Sequence, residues 1–356
     1  MADIAIVGAG LMGTAVAWPL SDNGHRIRLV GTHLDREIIR SCLERGYHPK
    51  LRRPLPPAVR PYYVEQAAEA LAGVDVVVSG VNSLGVHWIG RTLAPLLRPG
   101  MTIIAVTKGL EASADGQVRI LPDVLASELP AGLRDAVSLA AIGGPCIAGE
   151  LAGRRPTCVV FTARDEAALR RLRDLFRTDY YHIWLSTDII GVEVCAALKN
   201  AYTLAVGLAS GLLERAGGED AAAAGMHNLA AALFGVSMHE MTQIVTLLGG
   251  RADLVPNLSG AGDEYVTAVG GRTIRMGRLL GKGLTYSQAV QELAGETLEG
   301  PFVVQQLARA LPGWEARGLI GPNDLPVLRM LCHVITQDAP VQIPFADFFG
   351  RGAITL

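Results

Sequence analysis

Aromatic residues are scarce in this chain, at 5% of 356 residues, and lysines scarcer still, with only four among 32 basic residues. With half the residues hydrophobic, the core must then be assembled from Ala, Val, Leu and Ile. The five cysteines (Cys42, Cys146, Cys158, Cys195, Cys332) form no CxxC pair, which argues against a disulfide framework or a thiolate metal site. Reduced thiols in a cytoplasmic protein are the expectation. Eight histidines show no HExxH or other ligand spacing, so no metal is expected. A formal net charge of −2 gives no general electrostatic ground for binding nucleic acid or a membrane surface. No apolar run reaches membrane-spanning length without a glycine or a charge breaking it, and the first residues lack the features of a signal peptide. Membrane insertion is therefore not expected.

The length suggests two domains. Asp3-Ile-Ala-Ile-Val7 is a short β-branched run that breaks at Gly8, residues 11–24 have helical spacing, and a second strand runs from Arg26 to Val30. Further buried strands are read at 74–80, 101–106, 137–142 and 157–162. Continuous apolar strands alternating with helices indicate a doubly wound parallel sheet, a Rossmann-type α/β architecture. Near residue 188 the β-branched runs give way to Ala/Leu/Gly-rich stretches with helical spacing, at 191–213, 226–249, 272–282 and 286–294. The expected division is a dinucleotide-binding domain over 1–188 and an all-α substrate and catalytic domain over 189–356. His48 to Pro61, rich in proline and arginine, reads as a loop inserted in the first domain.

GxGxxG alone is a weak signal in a chain with 41 glycines. Here Gly8-Ala9-Gly10-Leu11-Met12-Gly13 follows a strand, opens a helix and lies within a βαβ unit, which gives it a mechanism. Gly8 permits the tight turn, Gly10 lets a pyrophosphate approach the backbone, and Gly13 lets helix pack on strand. The cofactor is read as NAD or NADP. No acid stands at the expected end of the second strand; Thr32 suits either a ribose or a 2′-phosphate, and Arg36 is either a phosphate partner or an exposed charge.

In a chain that uses arginine wherever a generic cation will do, each lysine merits inspection. Thr107-Lys108-Gly109 follows a strand, where parallel sheets bind ligands at their carboxyl ends. Lys199 lies in Val194-Cys-Ala-Ala-Leu-Lys199-Asn200-Ala201, an otherwise apolar helix. Desolvation there would suit it to exchange a proton near neutral pH, although a lysine reaching from a buried helix to solvent reads equally well. Gly270-Gly271-Arg272 opens another helix, where backbone N–H groups, the helix dipole and a forked guanidinium converge as they would on a phosphate.

Together these motifs resemble those of the NAD(P)-dependent glycerol-3-phosphate dehydrogenases, and most closely archaeal-type members. The resemblance runs along nearly the whole chain through Gly8–Gly13, Thr107-Lys108-Gly109, Gly144-Pro-Cys146-Ile-Ala148-Gly-Glu150 and Ala197-Leu-Lys199-Asn200. It continues through Glu240-Met241, Ser259-Gly-Ala-Gly-Asp263, Thr267, Arg272 and Leu298-Glu299-Gly300. It implies interconversion of dihydroxyacetone phosphate and sn-glycerol 3-phosphate by hydride transfer, with a relative acting on another phosphorylated or anionic small ketone as the alternative. Lys199 would then be the proton donor, Lys108 would polarise the ketone oxygen, and Asp263 would orient Lys199. Asn200, Thr267, Gly144 and Cys146 would bind substrate, and Gly271, Arg272 and Thr273 its phosphate. Gly8, Gly10, Leu11, Met12, Gly13, Thr32, Lys108, Ala148, Arg272 and Glu299 would line the dinucleotide. A homodimer is expected as the assembly. The chain departs from the family pattern at Thr273, where Asn is usual, at Ala230, where a Lys is usual, and at Val236, where an Arg is usual.

Overall fold

The computed structural model describes residues 1–349. The chain divides into two compact units, Met1–Lys108 with Ile120–Glu193, and Gly109–Arg119 with Val194–Leu356. Residues 109–119, expected in the nucleotide-binding half, thus belong to the second unit. The expected domain end, 350–356, lies outside the described residues.

The first unit is built on one sheet of eight strands: β1 (Asp3–Val7), β2 (Arg26–Val30), β3 (Val59–Tyr62), β4 (Val76–Ser79), β5 (Thr102–Ala105), β6 (Ser138–Gly143), β7 (Thr157–Ala163) and β8 (Tyr181–Ser186). Their spatial order is β3-β2-β1-β4-β5-β6-β7-β8. The first six strands pair in parallel, in the doubly wound order that reverses between β1 and β4. Alternate residues of β1 enter different cores. Ile4 and Ile6 pack with Val16, Leu20, Ile39 and Phe176, and Ala5 and Val7 with Leu71, Ile89, Leu93 and Leu125. Both faces are covered by helices, which is why the strands read as unbroken apolar runs.

Two features differ from the sequence expectation. β7 runs antiparallel to β6 and parallel to β8, so the sheet is mixed. A strand buried on both faces has the same composition in either direction, and the sequence pattern does not encode that direction. The 48–61 stretch is not simply a loop: Val59–Tyr62 is the sheet's terminal strand, and Tyr47–His48 pairs with Arg53–Pro54. Pro61 is tolerated because an edge strand leaves one side of its backbone free of ladder bonds.

The second unit is helical, with a two-stranded ribbon (Leu110–Ala112 and Val118–Ile120) laid on the helix Glu299–Ala316. Gln306 Oε1 accepts the Ala112 N–H at 3.0 Å, and Trp314 Nε1 donates to the Gly116 carbonyl at 2.8 Å. Through it, from Val194 on, runs the 27-residue helix Ile189–Arg215. It is long and apolar enough to span a membrane, but 89% of its apolar window is buried inside the protein, as in a core helix. Glycines on this helix and on Arg272–Lys282 bring the two backbones together. A Cβ on Gly207 would stand 2.6 Å from the Ile274 carbonyl, one on Gly277 2.2 Å from that of Leu204, and one on Gly281 2.3 Å from that of Leu208. No larger residue fits such a crossing.

Candidate functional site

Parallel pairing brings the carboxyl ends of β1, β4, β5 and β6 to one edge of the sheet, so Gly8, Gly80, Lys108 and Gly144 follow neighbouring strands. The glycine turn is tight for identifiable reasons. Gly8 has φ +114°, and its Cβ would lie 2.6 Å from the Gly80 backbone. A Cβ on Gly13 would stand 2.5 Å from the Gly8 carbonyl, which is the close helix–strand approach expected of the third glycine. Gly10 is different. Its φ of −69° suits any residue, and the nearest atom to its Cβ would be 3.7 Å away. Nothing in the fold requires glycine there. The space left open over the turn fits a pyrophosphate lying against the backbone, and the uncapped Leu11–Ala15 helix opens beneath it.

Two residues that sequence reasoning missed hold this turn. Asp35 is buried; its Oδ2 accepts from the Ala9 N–H (3.1 Å), the Thr32 N–H (2.9 Å) and the Thr32 hydroxyl (2.8 Å). It ties the end of β2 to the glycine turn. His48, fully buried, places Nε2 3.0 Å from the Ala9 carbonyl, and burial lowers its pKa. Arg36 is exposed, paired with Glu65, and its guanidinium stands over the Tyr63 ring. Lys108 donates from Nζ to the Gly144 carbonyl at 3.1 Å, joining two segments the sequence put in the site. Gly144 has φ +94°, Cys146 is half-buried, and Ala148 opens the short helix Ala148–Ala152. Leu11 is 44% exposed on the surface of the glycine turn, and Met12 packs partly into the core.

In the second unit, Lys199 is 8% exposed, and its Nζ lies 3.1 Å from Asp263 Oδ1 and donates to Thr267 Oγ1 at 2.7 Å. The Thr267 hydroxyl in turn donates a hydrogen bond to the Asp263 backbone carbonyl at 2.7 Å. Two expected residues, 64 and 68 positions from Lys199, thus meet at its ammonium. Their meeting depends on the wide π-turn Leu258–Gly262, where a Cβ on Gly260 would stand 2.2 Å from the Val255 carbonyl. The turn delivers Asp263, 1% exposed, into the interior. Wide turns of this kind recur at functional sites.

Asn200 is buried beside Lys199, and its Nδ2 has no hydrogen-bond partner among the described residues. Gly300 packs against this region: its Cβ would stand 2.6 Å from the Asn200 carbonyl and 3.0 Å from the Thr273 methyl. The approach leaves Glu299, half-buried, as the first residue of its helix. Gly271 has φ +115°, a conformation reserved for glycine, and starts the helix Arg272–Lys282. Arg272 is exposed and forms no ion pair among the described residues, whereas Thr273 is buried. Ala230 and Val236 lie half-buried on the helix His227–Leu247.

Two buried acids near these elements differ in employment. Glu240 accepts from the Val327 and Leu328 N–H groups (2.6 and 2.9 Å) and from the Tyr202 hydroxyl (3.0 Å), and so caps the helix Pro326–Thr336. Burial pushes its pKa up to about 7. Glu193, in the first unit, is fully buried with both oxygens unpartnered among the described residues. Burial raises its pKa to about 8, against the opposing pull of Lys108.

The family model described as NAD-dependent glycerol-3-phosphate dehydrogenase N-terminus matches residues 3–169, and its C-terminus counterpart matches residues 188–345. An NADP(+)-dependent glycerol-3-phosphate dehydrogenase of Archaeoglobus fulgidus is 36% identical, with 82% of this chain and 83% of that protein covered. A glycerol-3-phosphate dehydrogenase [NAD(P)+] of Shouchella clausii is 32% identical over 99% of this chain and 96% of its own length. The crystal structure of a Coxiella burnetii glycerol-3-phosphate dehydrogenase superposes with a TM-score of 0.80 at 27% identity, covering 98% of this chain and 97% of that one. The chain belongs to the NAD-dependent glycerol-3-phosphate dehydrogenase family.

Proposed function

We propose that this protein interconverts dihydroxyacetone phosphate and sn-glycerol 3-phosphate with NAD(H) or NADP(H). The observation that carries this reading is the buried Lys199–Asp263–Thr267 cluster, in a chain whose two halves both match the family. The nicotinamide of a bound dinucleotide would supply the hydride to the carbonyl carbon. Lys199 gives its proton to the ketone oxygen, and the partners on its Nζ hold the ammonium in place. Lys108 assists in polarising the oxygen, and Asn200, whose Nδ2 has no partner among the described residues, donates to a substrate hydroxyl. Gly271, Arg272 and Thr273 hold the phosphate, with the exposed guanidinium as its counter-charge. Gly144 and Cys146 complete the substrate contacts. The dinucleotide lies along Gly8, Gly10, Leu11, Met12 and Gly13, with Thr32, Ala148 and Glu299 at its flanks.

The nicotinamide absorbance band, followed with dihydroxyacetone phosphate and each cofactor, tests the assignment. Protein that binds either cofactor but turns over neither would overturn it. A panel of phosphorylated ketones and keto acids separates the alternative substrate, which the absence of a cation at Ala230 and Val236 favours. We further propose a cytoplasmic homodimer that inserts into no membrane. No disulfide joins the five cysteines, as suits a reducing compartment, and the apolar helical unit suits self-association. Light scattering in solution checks the dimer.

A further inference from the structure

Glu264 has no task in the reaction described above. It is the second residue of the helix Asp263–Val269, is fully buried, and neither carboxyl oxygen has a hydrogen-bond partner among the described residues. A carboxyl buried without a partner is costly when neutral and far costlier when charged. Packing alone would favour leucine at this position. The turn closed by Gly260 fixes where residues 263 and 264 enter the interior, so Glu264 follows directly on the acid that holds Lys199. The charged and titratable groups acting on it are Lys199 and Tyr202 from the helix Ile189–Arg215 and Asp263 from its own helix. Burial and Asp263 raise its pKa well above the usual carboxylate range, and Lys199 opposes them.

We propose that Glu264 is a positioning residue for proton transfer: its carboxyl, buried without a partner one residue after the acid that holds Lys199, sets how tightly Lys199 keeps its proton. This rests on Lys199 being the proton donor. While Glu264 is neutral, Asp263 is the charge set against the ammonium, which releases its proton to the substrate oxygen. A second negative charge in the same dry site stabilises the ammonium and weakens it as an acid. In the oxidative direction, Lys199 must be neutral to take a proton, and an ionised Glu264 opposes that too. As pH rises the pair titrates together, so the loss of activity belongs to both groups rather than to Lys199 alone.

The test is the pH dependence of kcat for ketone reduction, measured on the full chain with saturating cofactor. In the wild type the alkaline limb should fall in two steps. In Glu264→Gln it should fall in one step, displaced downward by about one pH unit, a tenfold change in proton affinity. The plateau rate should stay within about threefold. Glu264→Leu removes the carboxyl without leaving an unpaired amide and should show the same single step if the Gln variant folds poorly. Glu264→Asp keeps a carboxyl and should keep two steps. Limbs that superimpose on the wild type in both the Gln and Leu variants, whatever happens to thermal stability, would overturn the proposal. Lys199→Ala separates the two readings. If it keeps the wild-type rate, the donor assignment itself fails; if it is inactive and the Glu264 limbs do not move, only this inference does.

Discussion

Glycine serves both units of this protein, for opposite reasons. In the sheet unit Gly8 and Gly144 adopt positive φ at the ends of strands, and Gly10 leaves room over a turn. There glycine permits the backbone turns that end the strands. In the helical unit Gly207, Gly277 and Gly281 have ordinary helical geometry and serve to bring two backbones together. There glycine shapes the frame, and the chemistry is left to side chains, chiefly a lysine, an aspartate and a threonine held in the interior. On the proposed function, one unit would offer main chain to a cofactor and the other buried charge to a substrate. Substitutions in the two should therefore fail in different ways.

The sharpest separation comes from Lys199→Ala. It should lower kcat by about 10²-fold or more, the usual scale for a general acid, with dinucleotide affinity unchanged by fluorescence titration. Loss of cofactor affinity with kcat intact would erase the contrast between the units. Arg272→Ala should raise the KM for the phosphorylated substrate by about tenfold or more while kcat holds, because an exposed guanidinium gripping a phosphate binds ground and transition states alike. Gly277→Ala should destabilise the helical unit by about 1–3 kcal/mol, since its Cβ meets main chain that cannot turn aside. A chemical melt reads this directly.

The buried acids give a pH-dependent prediction. Glu193, at about 8, and Glu240, at about 7, have folded pKa values raised above those of an unfolded chain. Their protonated forms favour the folded state, so that contribution is complete below about pH 4.5 and is lost as pH rises through 7 and 8. Tm should fall between pH 5 and pH 8.5, and Glu193→Gln should flatten that fall. A variant with the wild-type slope would remove Glu193 from the account. The smallest effect is expected of Asp35→Ala, which frees the Ala9 N–H and Thr32 and should raise the cofactor KM a few-fold.

Much of the cofactor turn was legible because its information is local: strand, glycines and helix lie within a dozen residues. Lys199 was legible by contrast with its apolar neighbours. Asp263, Thr267 and Arg272 were reached through family resemblance and a glycine-marked helix start, and the structure brings the first two onto Lys199. Long-range relations did not show. Asp35 lies only three residues past Thr32, yet its partner Ala9 is 26 residues away. Gly80 ends an apolar strand, and nothing local announces that it must admit Gly8 and Gly13. The reversal of β7, the edge strand carrying Pro61 and the transfer of residues 109–119 to the helical unit are all settled by tertiary partners.

The glycine crossing also sets a scale for the substrate. From Lys199 to Gly207 is eight residues of helix, about 12 Å, and from Arg272 to Gly277 five residues, about 7.5 Å. Because the helices touch main chain to main chain, no intervening side chain can be trimmed or enlarged to change their separation. The pair acts as a fixed ruler between Lys199 and the start of the Arg272 helix. Evolution or design that sought a longer or shorter substrate would have to rebuild the turn at Gly270 and Gly271, since the spacing behind it cannot give.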